Sequence, residues 1–520
     1  MYSGSVSPVK ADGWVGASAG YLPGQNSATM KDDPSQPIGA YYLMASRWEV
    51  MRAVLEGNHY LKHVAQNYVP QLPNETDECY QRRLASNLFS PYTGRIVDAA
   101  IGLIMRKPVV LEGGNEEWWA DWATDVDRQG TDLDEFARRL LRTSIGYGHG
   151  GILVDYPKAE GIRTLRDETQ AQLKPYLGIV DPWDIIGWRQ DIRKSGGKLQ
   201  QVRIREVTTE PDGEFGEAVV EQIRVLEPGK YRLYRRQSRT TEYGQPGGRW
   251  EEVESGRTSL SDIPLVATYS QKTGTLVSKP PLLDVGYINL AHYKLQSQHL
   301  NALQVAGFPL LVLRGYDDQG SNLQLDVSKA LAMPVEGGVE YVEPANQAFA
   351  AYQEELDKLA DQMSNLGISI LAEQKRVSES GLSKQLDKAD SHSLLASISL
   401  DLEQALQEAI NIAAEYAGQE PPVVGLTRDF DVEKLDGGSV TAINTLFGSG
   451  LLDQATALEM LRRGEWLGDE VDLDEVMSAT EAEQLQSMEQ QLQKQEAQME
   501  LSAEYQEPMP ANEKPKPFDG

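Results

Sequence analysis

The sequence predicts an α+β fold that is mainly α. Three stretches carry that prediction. Helical runs dominate Tyr41 to Met105, short β-prone runs with Gly, Pro and Asp turns fill Tyr176 to Thr268, and Pro280 to Gly418 reads as helix, short β connection, helix, loop and one long helix. Almost no polar filler separates the parts of this last stretch, so the rest of the chain is organised around it.

Met1 to about Gly39 is rich in Gly, Ser and Pro, has no period and reads as a mobile arm. Gly16, Ser18 and Gly20 fit the letters of a hydrolase elbow. That motif needs a strand before it and a helix after it to strain and expose the serine, and neither is predicted. Helices are predicted over Arg47 to Glu56, Cys79 to Leu88 and Pro91 to Met105, separated by Gly57 and a Pro70 to Asn74 turn. His59 and His63 have the spacing of helical metal ligands. The residues between them, Tyr60, Leu61 and Lys62, lack the glutamate base of a zinc protease, which favours two surface or half-buried histidines. Trp118, Trp119 and Trp122 give an aromatic face to a helix near Glu116 and are read as packing residues.

Leu133 to Ile145 is an amphipathic helix, followed by a strand from Ile152 to Asp155. Between them Gly146, Gly148 and Gly151 satisfy G-x-G-x-x-G by letters, but a dinucleotide site needs the order strand, glycines, helix, and here the helix comes first. The stretch therefore reads as a tight helix-to-strand turn. Strands are predicted over Leu177 to Val180, Ile185 to Arg189, Leu199 to Val207, Val219 to Leu226 and Lys230 to Arg235, with a turn at Pro211 to Gly213. From Arg189 to Arg239 there are twelve Lys or Arg against eight Asp or Glu, a local basic surplus that alternating strands with solvent-facing arginines explain without DNA.

The central stretch opens with a helix from about Pro281 to Ala306, stopped by Gly307 and Pro309. Ile288, Ala291, Leu295, Ala302 and Val305 form an apolar stripe on it, and Asn289, His292, Gln296 and His299 a polar one. Phe308 to Leu313 and Gly338 to Val342 are short strands, with a turn at Tyr316 to Gly320. In the next helix Phe349, Tyr352, Leu356, Leu359, Met363 and Leu366 step by three and four, Glu354, Asp357 and Asp361 line another side, and Gly367 is expected to end it. A loop over Ile368 to Gly381 leads to Leu382–Ala417, which has no Gly or Pro over 36 residues, about 54 Å of helix at about 1.5 Å per residue. Its Leu395, Ile398, Leu402, Ala405, Ala409, Ile412 and Tyr416 form a strict stripe. Either the three helices make a bundle inside one monomer, or the stripes meet neighbouring subunits.

Composition bounds the function. The formal net charge of −29 argues against gripping nucleic acid over the whole surface. It fits either plain solubility or a wall past which a polyanion moves without sticking. The longest apolar run, Val305 to Leu313, is too short to span a bilayer, and Met1 to Gly20 has no signal-peptide core, so a cytoplasmic protein is expected. One cysteine, Cys79, makes neither an internal disulfide nor a recognisable zinc site. With no phosphate-binding loop, no ligand cluster and no Ser-His-Asp or Cys-His arrangement, the chain is not expected to be an enzyme or to carry a cofactor.

The order of parts resembles the portal proteins of tailed bacteriophages, most closely a branch catalogued as a phage domain of unknown function. Local matches are Tyr80 with Arg83, RKPV at Arg106 to Val109, GILVDYP at Gly151 to Pro157, IPLV at Ile263 to Val266, PPLLDVGYINLAHY at Pro280 to Tyr293 and GFPLLVLRG at Gly307 to Gly315. The resemblance spans roughly residues 40 to 418 and implies a ring, usually of twelve subunits, at one capsid vertex, through which DNA is packaged and ejected. It implies contacts with other copies, major capsid and scaffolding proteins, the terminase large subunit as a separate motor ATPase, head-completion adaptor and tail proteins, and double-stranded DNA. The expected location is the virion, after assembly in the host cytoplasm, with no membrane.

Mapped onto this chain, residues 1–39 are an arm, 40–280 a wing, 281–306 and 348–367 paired stem helices, and 307–347 a small α/β clip. A tunnel loop follows at 368–381, the long wing helix at 382–417, a helical crown region to 507 and a disordered tail. The last crown helix, from about Asp472, carries Leu485, Met488, Leu492 and Met499 on a weak heptad frame. Arg314, Tyr316, Asp317 and Asp318 are the candidate docking residues of the clip, and Lys375, Arg376 and nearby Lys384 would meet DNA phosphates at the narrowest point. Glu354, Asp357 and Asp361 become circles of carboxylates in a ring. They either line the channel or face outward and keep the ring soluble. A structural capsid or minor head protein without a channel is the alternative reading, and a hydrolase using Ser18 a more distant one.

Overall fold

The computed structural model describes residues 33–157, 173–191, 197–236, 239–240, 246–247, 249–306, 310–314, 338–342, 347–371, 381–426, 437–449 and 451–463, with scattered positions beyond. Ser18 and its flanking glycines, Leu485, Met488, Leu492, Met499 and the tail lie outside these residues. The architecture is mixed helix and sheet, of the α+β type.

Helices α1 (Gly39–Glu56), α2 (Asn58–Tyr68), α3 (Asp77–Ser86) and α4 (Tyr92–Ile104) come first, then β1 (Val110–Glu112), α5 (Glu116–Ala123), α6 (Leu133–Tyr147) and β2 (His149–Asp155). Their starts are set by local chemistry. Thr76 accepts a hydrogen bond from the Cys79 amide at the head of α3, and Asp132 one from Glu135 at the head of α6, each followed by two acidic residues that suit the positive end of a helix. Helix α6 ends at Gly148, whose φ of 100° only glycine adopts readily. A Cβ there would also lie 2.4 Å from the Ser278 hydroxyl. The glycine-rich stretch is thus a helix-to-strand turn packed against residues 278–280.

The β part holds β3 (Tyr176–Val180), β4 (Ile185–Gln190), β5 (Leu199–Asp212), β6 (Gly216–Glu227), β7 (Lys230–Arg236), the two-residue β8 (Arg239–Thr240) and β9 (Pro246–Gly247), β10 (Trp250–Arg257) and β11 (Leu265–Tyr269), then β12 (Lys272–Gly274) and β13 (Val277–Ser278). One antiparallel sheet has the order β10-β7-β6-β5-β4 and another the order β11-β2-β3. A small apolar cluster, including Ile185, Val202, Ile204, Leu226 and Leu265, joins the two.

Next come α7 (Leu283–Ala306), β14 (Leu310–Arg314), β15 (Gly338–Val342), α8 (Gln347–Leu371), α9 (Gly381–Ala417) and β16 (Val423–Gly425), which pairs with β1. Strands β14 and β15 form an antiparallel pair at the far end of α7 and α8. The main core gathers α1, α4, α6, the first half of α7 and the second half of α9 around Trp48, Met51, Ile104, Leu140, Tyr293 and Leu402. Residues 431–520 form a second compact unit, in which α10 (Gly437–Gly448) and α11 (Gln454–Arg463) pack together.

The structure departs from two sequence expectations. Gly367 does not end α8, which runs on to Leu371 and so takes the first residues of the expected loop. Its glycine is an approach point, where a Cβ would sit 2.6 Å from Ile96 Cδ1 of α4. The stripe of α9 is also not left for other subunits: Leu395, Ile398, Leu402, Ala405 and Ala409 are buried within the chain, against β11, β2, β16, α8 and α4.

Candidate functional site

Helix α7 shows how the central segment is fastened, because part of its polar stripe is turned into the fold. Asn289 and His292 of its polar stripe are buried, as is Ser297, while Ala291 of the apolar stripe is exposed. The reason is the bare N-terminus of α4, where Pro91 offers no side-chain cap. Asn289 Oδ1 accepts from both the amide and the hydroxyl of Thr93 at 3.1 Å, and Asn289 Nδ2 donates to the Ser90 carbonyl at 2.9 Å. One helix therefore caps another, meeting amide donors that α4 cannot satisfy itself.

Alongside, Arg83 of α3 is 2% exposed. It donates to Glu75 through Nε and Nη2 at 2.8 Å, to the Pro70 carbonyl at 2.9 Å and to Ser297 Oγ at 3.0 Å. The hydrogen bond from Arg83 holds the Glu75 carboxyl below its ordinary pKa. Burial pushes His292 down, its ring edge-on to Tyr92 and its Nδ1 without a partner among the described residues. Tyr80 donates to the Val69 carbonyl at 2.7 Å and the Tyr293 ring meets Phe89 edge-on, so Tyr80, Arg83, Asn289 and Tyr293, all within the sequence matches, are fastening residues.

The exposed side of α8 is the candidate channel surface. Leu356 and Met363 are buried and Tyr352 stacks on His299 of α7 with centroids 5.8 Å apart, which turns the opposite side to solvent. Glu354, Asp357 and Asp361 are all exposed on that side. Lys358, which the sequence reading missed, sits among them and pairs with Glu354 at 2.8 Å and more loosely with Glu355 at 3.8 Å. Four carboxylates against one ammonium leave the face acidic. The i, i+4 spacing of Glu354 and Lys358 could have revealed the pair.

Of the docking candidates, Arg314 lies at the end of β14, exposed and paired with Glu340 of β15 at 2.7 Å. Tyr316, Asp317 and Asp318 lie outside the described residues, as do Lys375 and Arg376. Lys384 belongs to the first turn of α9. The basic surplus in the β region is largely internal, with Arg224 on Asp155 and Glu206, Arg205 on Asp184 and Arg235 on Glu210. His59 and His63 are exposed neighbours on α2, and no group of acidic, His or Cys side chains among the described residues is placed to hold a metal ion. Trp119 and Trp122 are buried, their ring nitrogens donating to the Glu420 and Pro175 carbonyls.

Residues 281–417, the segment from α7 to the end of α9, match the family described as a domain of unknown function, DUF4055. No curated protein matches the chain. Among solved structures it is similar to a chain of the neck of a native GTA particle computed with C12 symmetry, at 11% identity and TM-score 0.36, covering 75% of this chain and 94% of that one. It is also similar to a chain of the neck of the empty GTA particle computed with C6 symmetry, at 11% identity and TM-score 0.37, covering 75% and 93%. A third likeness is to a chain of the virion of the native gene transfer agent particle, at 12% identity and TM-score 0.37, covering 77% and 98%.

Proposed function

We propose that this protein is a portal-type subunit: a ring of copies at a phage capsid vertex, forming the channel for DNA packaging and ejection. The observation that carries the reading is the α7–β14/β15–α8 arm, two long helices joined by a small strand pair, with an acidic, solvent-exposed side on α8. In a closed ring Glu354, Asp357 and Asp361 each become a circle of carboxylates, and charges of like sign repel a phosphate backbone within about 8 Å at physiological ionic strength. DNA is then guided without being held, because few phosphate contacts mean little counterion release. The clip end, with Arg314, would dock terminase and later the adaptor and tail proteins. The connection bearing Lys375 and Arg376, with Lys384 at the start of α9, would meet the DNA at its narrowest passage. Major capsid and scaffolding proteins would surround the wing.

Changing Glu354, Asp357 and Asp361 together to Lys tests the channel role. The expected result is normal assembly with salt-sensitive DNA binding and poor packaging. Normal packaging by that variant would take the acidic side off the DNA path and leave a capsid or minor head role without a channel.

A further inference from the structure

The hairpin of β5 and β6 is longer than the sheet it belongs to. Their pairing runs out to Asp212 and Gly216, whereas β4 covers β5 only as far as Ile204 and β7 covers β6 only from Gln222. Among the described residues, Val207–Asp212 and Gly216–Glu221 therefore stand out as two strands alone, about 20 Å of arm at about 3.3 Å per residue. Its turn is tightly set: Gly213 has φ 77°, and a Cβ on Gly216 would lie 2.3 Å from the Asp212 carbonyl oxygen. At the tip Phe215 is 92% exposed, and Val219 behind it 70%. Its sequence neighbours Asp212, Glu214 and Glu217 are exposed as well. A large aromatic held at the end of a shaped arm lacks the cover that a single chain normally gives it.

At the other end of the same sheet lies a cavity of about 530 Å³. Leu226, Leu233 and Pro264 give it apolar surface, and Tyr176, Tyr231 and Tyr416 aromatic walls. Its inner charges are satisfied: Arg224 is paired with Asp155 and Glu206, and Glu254 accepts from the Tyr231 hydroxyl at 2.7 Å. Arg257 also lines the cavity and is exposed, and its guanidinium has no hydrogen-bond or ion-pair partner among the described residues. From Phe215 to Leu226 along the strand is about 35 Å at about 3.3 Å per residue, so the tip cannot enter the cavity of its own chain.

We infer that Phe215 of one copy fills this cavity in the next copy, with its neighbour Glu214 meeting the free Arg257. Two different surfaces of one chain then join head to tail, the kind of contact that generates a closed ring when the rotation closes. An aromatic anchor entering a cavity of mixed polar and apolar lining, beside Leu226, Leu233 and tyrosine walls and with a charge pair, has the make-up of an interface hot spot. This contact rests on the ring reading and names the surface that builds the ring.

The test uses the full chain. Phe215→Ser should raise the concentration at which half the chains are assembled by about thirtyfold, the size of a hot-spot loss, with helicity unchanged. Arg257→Glu should weaken assembly, and adding Glu214→Arg should restore it. With Cys79→Ser removing the exposed native thiol, Glu214→Cys combined with Ser259→Cys, which keeps the Phe215 ring, should give disulfide-linked ladders of subunits on mild oxidation. Wild-type rings together with undiminished assembly of Phe215→Ser and no ladder would overturn this contact while leaving the ring, and would assign tip and cavity to other partners. A wild-type chain that stays monomeric would overturn both.

Discussion

Asn289 does with one side-chain amide what a capping serine usually does inside its own helix, and it does so across the fold. Replacing it with Ala removes two acceptor contacts and one donor contact at the head of α4, leaving a buried amide unsatisfied. The expected cost is about 1–3 kcal/mol of unfolding free energy, measured by urea denaturation. An effect within a few tenths would show that the cap is dispensable. A second residue-scale prediction concerns Asp181, whose carboxyl is raised to about 7 by burial first and by the nearby Asp184 second. Below pH about 4 it is protonated in both folded and unfolded chains. Between there and about 7 the folded chain holds a proton that the unfolded chain has lost, so stability falls as pH rises. Asp181→Asn removes that loss, and its stability relative to wild type should be greater at pH 8 than at pH 4. An equal difference at both would contradict the assignment. The seam around Asn289 was visible in the sequence as a polar stripe, but which way it faced was not. Burial of a polar stripe depends on an uncapped helix elsewhere in the chain, and periodicity reports only that two sides differ.

At the scale of elements, long strongly periodic segments were legible, and departures came where packing overrode a local signal. The predicted 281–306 and 382–417 helices agree with α7 and α9 to within two residues. Helix α2 went unread, hidden behind the histidine spacing and started without a side-chain cap. Strand β10 was also missed, because Trp250–Arg257 is rich in Glu and poor in β-branched residues and is a strand through its pairing with β7. Gly367 misled for a third reason, since its role is the close approach to Ile96. Gly367→Ala puts two effects in opposition: a helix gain of about 1 kcal/mol and an overpacking cost of about 1–3 kcal/mol. With Ile96 Cγ1 at 2.8 Å as well as Cδ1 at 2.6 Å, overpacking should win. Ile96→Val, which removes one of the two clashing atoms, should recover part of the loss in a double-mutant cycle. Strict additivity of the two changes would show that the helices separate instead.

For the whole molecule, the sequence supported a mixed α+β chain but overstated what its helices leave uncovered. The apolar stripe of α9 is satisfied inside the subunit. The contact proposed between copies uses instead the tip of the β5–β6 arm and the cavity at the opposite end of its sheet, which no linear pattern in the sequence brings together. The acidic side of α8 was legible as charge, while Lys358 stands one residue after Asp357 and shows its place on that side only through its i, i+4 pairing with Glu354. The central proposal is that the chain works as one subunit of a ring around DNA. An electron-microscopy image of the purified full-length protein, taken alongside its native mass, tests that most directly. The account predicts a ring of many subunits with an axial hole wide enough for duplex DNA, and a compact monomer or dimer at micromolar concentration, with helicity intact, would contradict it.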